Sequence, residues 1–434
     1  MNELSKLLVC TNQSYLRIIK FAIMGQKMTN RDIDSIPAIM YHSIGIRNEK
    51  WQWNYLTLHH KLFETYLKWM KATGFHSISL EELYAFLTKG KKLAKNPVVL
   101  TFDDGYVDNW VFAYPLLKKY GFKGTIFVSP EFVDSRNVTR KNLEHVCSGE
   151  VGVNDLETTG YLSWKEMREM EEEEIIDVQS HTMTHTWYPS NNIIIDFRHP
   201  GDSYIWMTWN DNPEKKPYLQ FDNEELVGYG EPVYQHGRAI GIRRFFPDEN
   251  LKMHLTDYVK EKNTIFFISM HWKEKLLEIA QKYKVQNQLD EKFETQEEYE
   301  KRVYYELRQS KKIIEDSLNK EVKFLAWPGG AMTDRALEIA SGLGYVLSTY
   351  PSREIRTATT QMKKESVDLA RLKRIGSALY WNEKRVIYFP PPLFVLKMKL
   401  LNVKKKYNQI LLNLEHFVKK RSRARLFEKS NEGH

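Results

Sequence analysis

Residues 97–106 read PVVLTFDDGY. The apolar run Val98-Val99-Leu100 leads into two adjacent carboxylates, Asp103 and Asp104, and then into Gly105 and Tyr106. Two anions at the end of a buried strand repel each other, and an apolar setting penalises each charge. A cation resolves the conflict: one Asp binds a metal and the other stays free as a base. A plain turn is the alternative, because Asp-Gly pairs favour turns. The rest of the chain decides between them.

Working outward, strand-like and helix-like stretches alternate. IPAIMYHSI (36–44), PVVLTFDD, GTIFVS (124–129), IIDVQSHT (175–182), VKFLAWP (322–328) and YVLSTY (345–350) read as strands. Between them, LFETYLKWMKATGF (62–75), VFAYPLLKKYGF, SWKEMREMEEE, RVYYELRQSKKIIEDSL (302–318) and DRALEIASGLG read as helices. Repeated βα units predict parallel strands in a barrel or an open sheet. Residues 188–300 interrupt the rhythm and are read as a long insertion, since a structureless loop of that length is improbable. The prolines of YFPPPLFV (388–395) mark a boundary before a helical tail.

A second motif, SHTMTH (180–185), again lies at a strand end. His181 and His185 are four apart, a spacing that predicts one shared face if the segment starts a helix. Two neutral imidazoles and one carboxylate are a common ligand set for a catalytic divalent ion that keeps positions open for water and substrate. In βα barrels the chemistry sits at the C-terminal ends of the strands, where both motifs lie.

TFDDGY followed about 75 residues later by SHTMTH resembles the first two motifs of the polysaccharide deacetylases, carbohydrate esterase family 4, which include the nodulation-factor N-deacetylases. The resemblance covers roughly residues 36–187 and 302–376. It implies a distorted (β/α) barrel of seven strands, with Asp103 as general base and Asp104, His181 and His185 as metal ligands, zinc by default. Most members carry Arg two residues before the proline of a third motif and Tyr after it; here FLAWPGG (324–330) has Ala326 and Gly329. The WPGG form is similar to the poly-N-acetylglucosamine deacetylase branch. In that branch DLARLKRIG (368–376) offers Arg374 to orient the base, and a Tyr-His pair on the first strand, here Tyr41-His42, offers the general acid. Gly329 is a candidate backbone donor to an oxyanion, and Tyr106 a substrate contact. The implied activity is hydrolysis of N-acetyl groups on an amino sugar in a glycan or lipid-linked saccharide. An O-acetyl esterase and an inactive sugar-binding barrel are the rivals.

In the insertion, Trp206, Trp209, Tyr218 and Tyr234 are either core rings, the commoner case for any single aromatic, or sugar-stacking rings, while His236, Arg238, Arg243 and Arg244 are candidates to meet phosphate or carboxylate. The chain of 434 residues carries a net charge of +8, but ten Lys or Arg and one acid, Glu415, fall within 397–425, which sums to +9 and leaves −1 for the remainder. Few aromatics interleave with these charges, which argues against nucleic acid. Leu396, Leu400, Val403, Tyr407, Ile410, Leu414 and Phe417 recur at spacings of four and three, an apolar stripe along a helix. Such a segment either packs on the barrel or lies on an anionic membrane surface, over 396–425. Neither a signal peptide nor a spanning helix is legible, so the expected location is cytoplasmic. The expected organisation is an N-terminal extension (1–33), a catalytic domain (34–390) holding the insertion, and a basic tail (391–434).

Overall fold

The computed structural model describes residues 36–401 apart from 52, 222, 350–369 and 383–384. The N-terminal extension and the tail beyond 401 lie outside the described residues. Six parallel strands lie side by side in chain order: β1 (Ala38–Tyr41), β2 (Pro97–Asp103), β3 (Gly124–Val128), β4 (Ile176–Ser180), β5 (Phe324–Leu325) and β6 (Leu347–Thr349). The seventh, β7, runs in two halves, Ala370–Leu372 and Arg374–Gly376, interrupted at Lys373. Its first half pairs with β6 and its second with β1, so one strand joins the two edges and closes the barrel. The expected strand over 36–44 is broken at His42, between Ala38–Tyr41 and a short Ser43–Gly45.

Alternation along β2 decides what points where, since successive side chains face opposite sides of a strand. Val98, Leu100 and Phe102 pack outward against the helices. Val99 faces the barrel interior with Ala38, Phe127, Phe324, Leu347 and Leu372, and Asp103 continues that inward row. Helices α1 (His60–Ala72), α3 (Tyr114–Tyr120), α4 (Trp164–Glu172), α5 (Gln296–Leu318), α6 (Asp334–Gly342) and α7 (Pro391–Leu401) cover the outside, while α2 (Leu80–Lys89) brings Leu80 and Leu83 to the interior cluster. Helices α2, α4 and α5 start with capping boxes, Ser79 with Glu82, Ser163 with Glu166 and Thr295 with Glu298, which satisfy their first free N–H groups.

The insertion is structured. It starts with a hairpin of Trp187–Phe197 and Pro232–Arg238 and continues with helices Ile205–Asp211, Glu249–Lys262 and Trp272–Gln286. Trp206 (5% exposed), Trp209 (3%) and Tyr234 (3%) are buried inside it, so they are core rings and not sugar platforms; Tyr218, 44% exposed, is the one of the four that faces solvent. No helix among the described residues is long and apolar enough to cross a membrane.

The tail's first turns, α7, pack on the barrel. Phe394 is fully buried with its ring 5.0 Å from that of Tyr66 on α1, and the Tyr66 hydroxyl donates to the Phe389 carbonyl at 2.6 Å. Leu396 and Leu400 are buried with it, which commits the start of the apolar stripe to the protein. Removing a fully buried Phe costs about 3–5 kcal/mol. Phe394→Ala is therefore expected to lower the thermal unfolding midpoint by many degrees in calorimetry; an unchanged midpoint would mean that α7 is not part of the barrel.

Candidate active site

Asp103 and Asp104 part company because the chain turns between them. Asp104 has φ +74° and Gly105 φ +71°, so the backbone leaves the strand in two successive left-handed steps. A side chain at Gly105 would put its Cβ 2.9 Å from Val128 Cγ1, which leaves room only for glycine. The second motif turns in a similar way. After β4 the His181 N–H still donates to the Val128 carbonyl at 2.8 Å, and then Thr182 (φ +64°) and His185 (φ +44°) fold the segment back. The segment does not start a helix: it is a loop, and these left-handed residues bring both imidazoles to one point instead of a helical face. Positive φ at non-glycine residues is costly and persists only where the surroundings enforce it. Here Glu306 on α5 enforces it. Its buried carboxylate accepts from the backbone N–H groups of Met183 (3.0 Å) and Thr184 (2.9 Å) and from the Thr184 hydroxyl (2.5 Å).

Asp104, His181 and His185 meet with their ligating atoms within 4.8 Å of one another. His181 Nε2 lies 3.3 Å and His185 Nε2 3.2 Å from Asp104 Oδ1. His181 Nδ1 is 2.9 Å from the Ala326 carbonyl, which can only accept, so Nδ1 carries the proton and Nε2 presents a lone pair. Burial pushes His185 down to about 4, in spite of the Asp104 carboxylate beside it, so its ring is neutral at neutral pH. Burial also works against the charge on Asp104, but His185 and His181 outweigh it and hold the carboxyl well below its ordinary range. Asp104 Oδ1 is buried and has no hydrogen-bond partner among the described residues. One carboxylate oxygen and two imidazole nitrogens thus converge without enough protons to share, an arrangement a divalent cation satisfies.

Asp103, buried alongside, has a different partner. Arg374 on β7 grips it bidentately, Nη1 to Oδ1 at 2.6 Å and Nη2 to Oδ2 at 2.7 Å, and Nη1 also reaches the Thr101 hydroxyl at 3.2 Å. Burial alone would raise the Asp103 carboxyl; the Arg374 charge overcomes it and holds the group below its ordinary value. His42 sits at the break after β1, one residue past the Tyr41–Phe102 pairing and so level with Asp103, and its charge is felt by both carboxylates. Tyr106 is buried against Trp51 and Tyr161, and burial first, then Asp104, pushes its phenol well above the usual value, so it stays protonated.

Gly329 is exposed, has φ +56° and lies beside Arg238: a Cβ there would come within 2.5 Å of the Arg238 Nε. Of the other insertion candidates, His236 Nδ1 bonds the Tyr234 carbonyl, Arg243 donates to the Glu294 carbonyl and Arg244 stacks on Tyr188 and Phe246. The Tyr218 hydroxyl hydrogen-bonds with that of Ser135 at 2.6 Å. Two contributors escape a reading of the sequence, and a third carries only a positional signal. The Ala326 carbonyl acts through the backbone, which any residue would supply. Glu306 is one acid among many on an amphipathic helix, with no local signal. Trp187, whose ring meets His185 edge to face at 5.8 Å, lies two residues past the second motif, a closeness that does mark it.

Residues 90–193 and 254–348 match the family model described as polysaccharide deacetylase. A relative from Bacillus subtilis (strain 168), YxkH, classed as a polysaccharide deacetylase, is 31% identical over 34% of this chain and 54% of its own length. A poly-beta-1,6-N-acetyl-D-glucosamine N-deacetylase of Staphylococcus aureus is 29% identical over 28% of this chain and 35% of its own. The chain thus spans about half and about a third of these curated relatives. A solved de-N-acetylase from Aggregatibacter actinomycetemcomitans aligns at 17% identity with a TM-score of 0.46, covering 78% of this chain and 94% of that one.

Asp104→Asn, His181→Ala and His185→Ala should each lose tightly held divalent metal, read as metal per chain after dialysis, with unchanged circular dichroism. Groups that hold metal ligands in place contribute roughly 10–100-fold in affinity, and Glu306→Gln should fall in that range. Full metal content in all three ligand variants would place the ion elsewhere.

Proposed function

We propose that this chain, which belongs to the polysaccharide deacetylase family, hydrolyses the N-acetyl group of an amino-sugar unit in a glycan or lipid-linked saccharide and releases acetate. The observation that carries this reading is the separation of two neighbouring carboxylates: Asp103 is gripped by Arg374, whereas Asp104 Oδ1 lies against two imidazole nitrogens. In this reading Asp104, His181 and His185 hold a divalent metal ion, zinc by preference for one oxygen and two nitrogens. Such an ion, when bound, supplies Lewis acidity and acidifies water.

The chain's own residues do the rest. Asp103, kept ionised by Arg374, accepts a proton from the attacking water. His42 delivers a proton to the amide nitrogen as the C–N bond breaks, so the amine leaves neutral. Water is thereby split across the amide, its oxygen on the acetyl carbon and its proton on the amine. The Staphylococcus aureus relative, named for poly-beta-1,6-N-acetyl-D-glucosamine, supports a glucosamine-type unit. The same groups would cleave an O-acetyl ester, and acetate release measured side by side on N-acetylated and O-acetylated saccharides separates the two.

Asp103→Asn and His42→Ala should keep their metal yet lose turnover of an N-acetylated oligosaccharide by roughly 10²–10⁴-fold each. Removing the Arg374 charge leaves burial to raise the Asp103 carboxyl, so Arg374→Met should move the acid limb of the kcat/KM profile to higher pH. Wild-type turnover in His42→Ala would put the acid elsewhere, and an unmoved acid limb would detach Arg374 from the base.

The basic segment 397–425 is read as a peripheral contact with an anionic membrane surface, on the cytoplasmic side. Its support is the charge of +9 and the stripe from Val403 to Phe417. Full-length protein should sediment with anionic vesicles at low salt and a chain ending at Leu401 should not; equal behaviour of the two rejects the contact.

A further inference from the structure

Trp187 and Arg238 face each other as a cross-strand pair in the insertion hairpin. That end of the hairpin is tied to the site, because the Ala239 N–H donates to the Thr186 carbonyl at 3.0 Å, one residue past His185. The Arg238 guanidinium lies over the Trp187 indole, 3.8 Å from the ring centre, and the indole in turn meets the His185 ring. Imidazole, indole and guanidinium therefore form one series running outward from the metal cluster. On its other side Arg238 presses on Gly329, where any side chain would collide with it. A stacking ring and a glycine together fix the plane of the guanidinium and leave its nitrogen edge to do the binding.

That edge is not matched by the protein. Nη1 of Arg238 is buried with no hydrogen-bond partner among the described residues. Three other cations of this region pair with carboxylates, Lys216 with Glu131, Lys252 with Glu231 and Arg302 with Glu294, while Arg244, which stacks on Tyr188 and Phe246, also has a buried Nε without a partner among the described residues. Burial pushes Arg238 down to about 10, and the groups that pull it back up are Asp104, Tyr55 and Tyr106, all at the site. It is thus charged at neutral pH.

Counting charges makes the imbalance plain. Asp103 and Arg374 cancel. Asp104 offsets one of the two charges of a divalent ion, and the two imidazoles are neutral while they act as ligands. A loaded site would then carry one positive charge in excess, and Arg238 adds a second. A neutral N-acetyl sugar uses neither, whereas burying an unmatched cation is costly. A planar fork of this kind is suited to bidentate capture of a carboxylate or phosphate. The family model matches 90–193 and 254–348, so Arg238 lies outside the matched segments.

We propose that Arg238 binds an anionic group, a carboxylate or a phosphate, carried by the substrate close to its N-acetyl group, so that the substrate class is an acidic N-acetylated amino sugar. This rests on the deacetylase reading and specifies its substrate. The acetyl group itself is not the target of Arg238, because it is uncharged.

The test is titration calorimetry on the full-length, metal-loaded protein with three matched probes and one control. The probes are N-acetylglucosamine, N-acetylmuramic acid, which adds a carboxylate, and N-acetylglucosamine 6-phosphate; the control is sodium acetate. Wild type should bind one or both acidic sugars more tightly than the neutral one, and the stronger of the two identifies the anion. Arg238→Gln, with unchanged circular dichroism and metal content, should weaken the acidic sugars by roughly 10–100-fold and leave N-acetylglucosamine unchanged, with partial recovery in Arg238→Lys. Equal binding of the three sugars by wild type overturns the proposal, as does a preference that persists in Arg238→Gln. Acetate alone binding as tightly as the acidic sugars, and lost in the variant, also overturns it by moving Arg238 to the acetyl subsite. Acetate release from N-acetylated oligosaccharides is scored separately: release without an anion preference keeps the deacetylase and removes the anion site, while an Arg238-dependent preference without release does the reverse.

Discussion

Two buried carboxylates on consecutive residues can both stay ionised only if each has its own positive partner. Asp103 finds one within the chain, the guanidinium of Arg374. Asp104 is turned away from that pair by its left-handed backbone and meets two imidazole nitrogens, His181 Nε2 and His185 Nε2. Barrel closure and site assembly are the same event here. Arg374 lies in the half of β7 that pairs with β1, so the strand that joins the edges of the sheet also delivers the counter-charge to Asp103. Losing one member of a buried ion pair typically costs several kcal/mol, because the other is left uncompensated. The constraint therefore acts on stability and chemistry together.

Much of the barrel was legible because its strands obey a local rule. Val98 to Phe102 alternate between interior and exterior, and βα units in series predict parallel neighbours. The four ionisable residues of TFDDGY and SHTMTH were legible for a related reason: their spacing within each motif is short, and each motif follows a strand. The way the histidines converge was not. A four-residue spacing suggests a helix, and only long-range hydrogen bonds to Glu306, more than 120 residues away in the chain, make the loop win. Which aromatic residues of the insertion are core and which are open to a ligand was not legible for want of burial information. Trp206, Trp209 and Tyr234 fill a core that exists only once the hairpin and its helices have folded, and a sequence carries no sign of which aromatic will be covered.

Chemistry and selectivity come from different parts of the molecule. The barrel strands and the loops that follow them supply the carboxylates, the imidazoles and Arg374. The insertion adds a cation–π stack, Arg238 on Trp187, whose register is set by ordinary antiparallel pairing beginning two residues after His185. Lengthening a loop at a strand end leaves the barrel undisturbed, which is why such loops are where substrate preference changes while the reacting groups stay put.

The central claim is that the two aspartates have separate fates, Asp104 with the metal and Asp103 with Arg374. Anomalous diffraction from crystals of the full chain loaded with zinc, recorded on both sides of the zinc edge, tests it directly. The account predicts one ion bonded to Asp104 Oδ1, His181 Nε2 and His185 Nε2, with Asp103 outside its coordination shell and still paired to Arg374. An ion bridging both carboxylates, with Arg374 displaced, would contradict it.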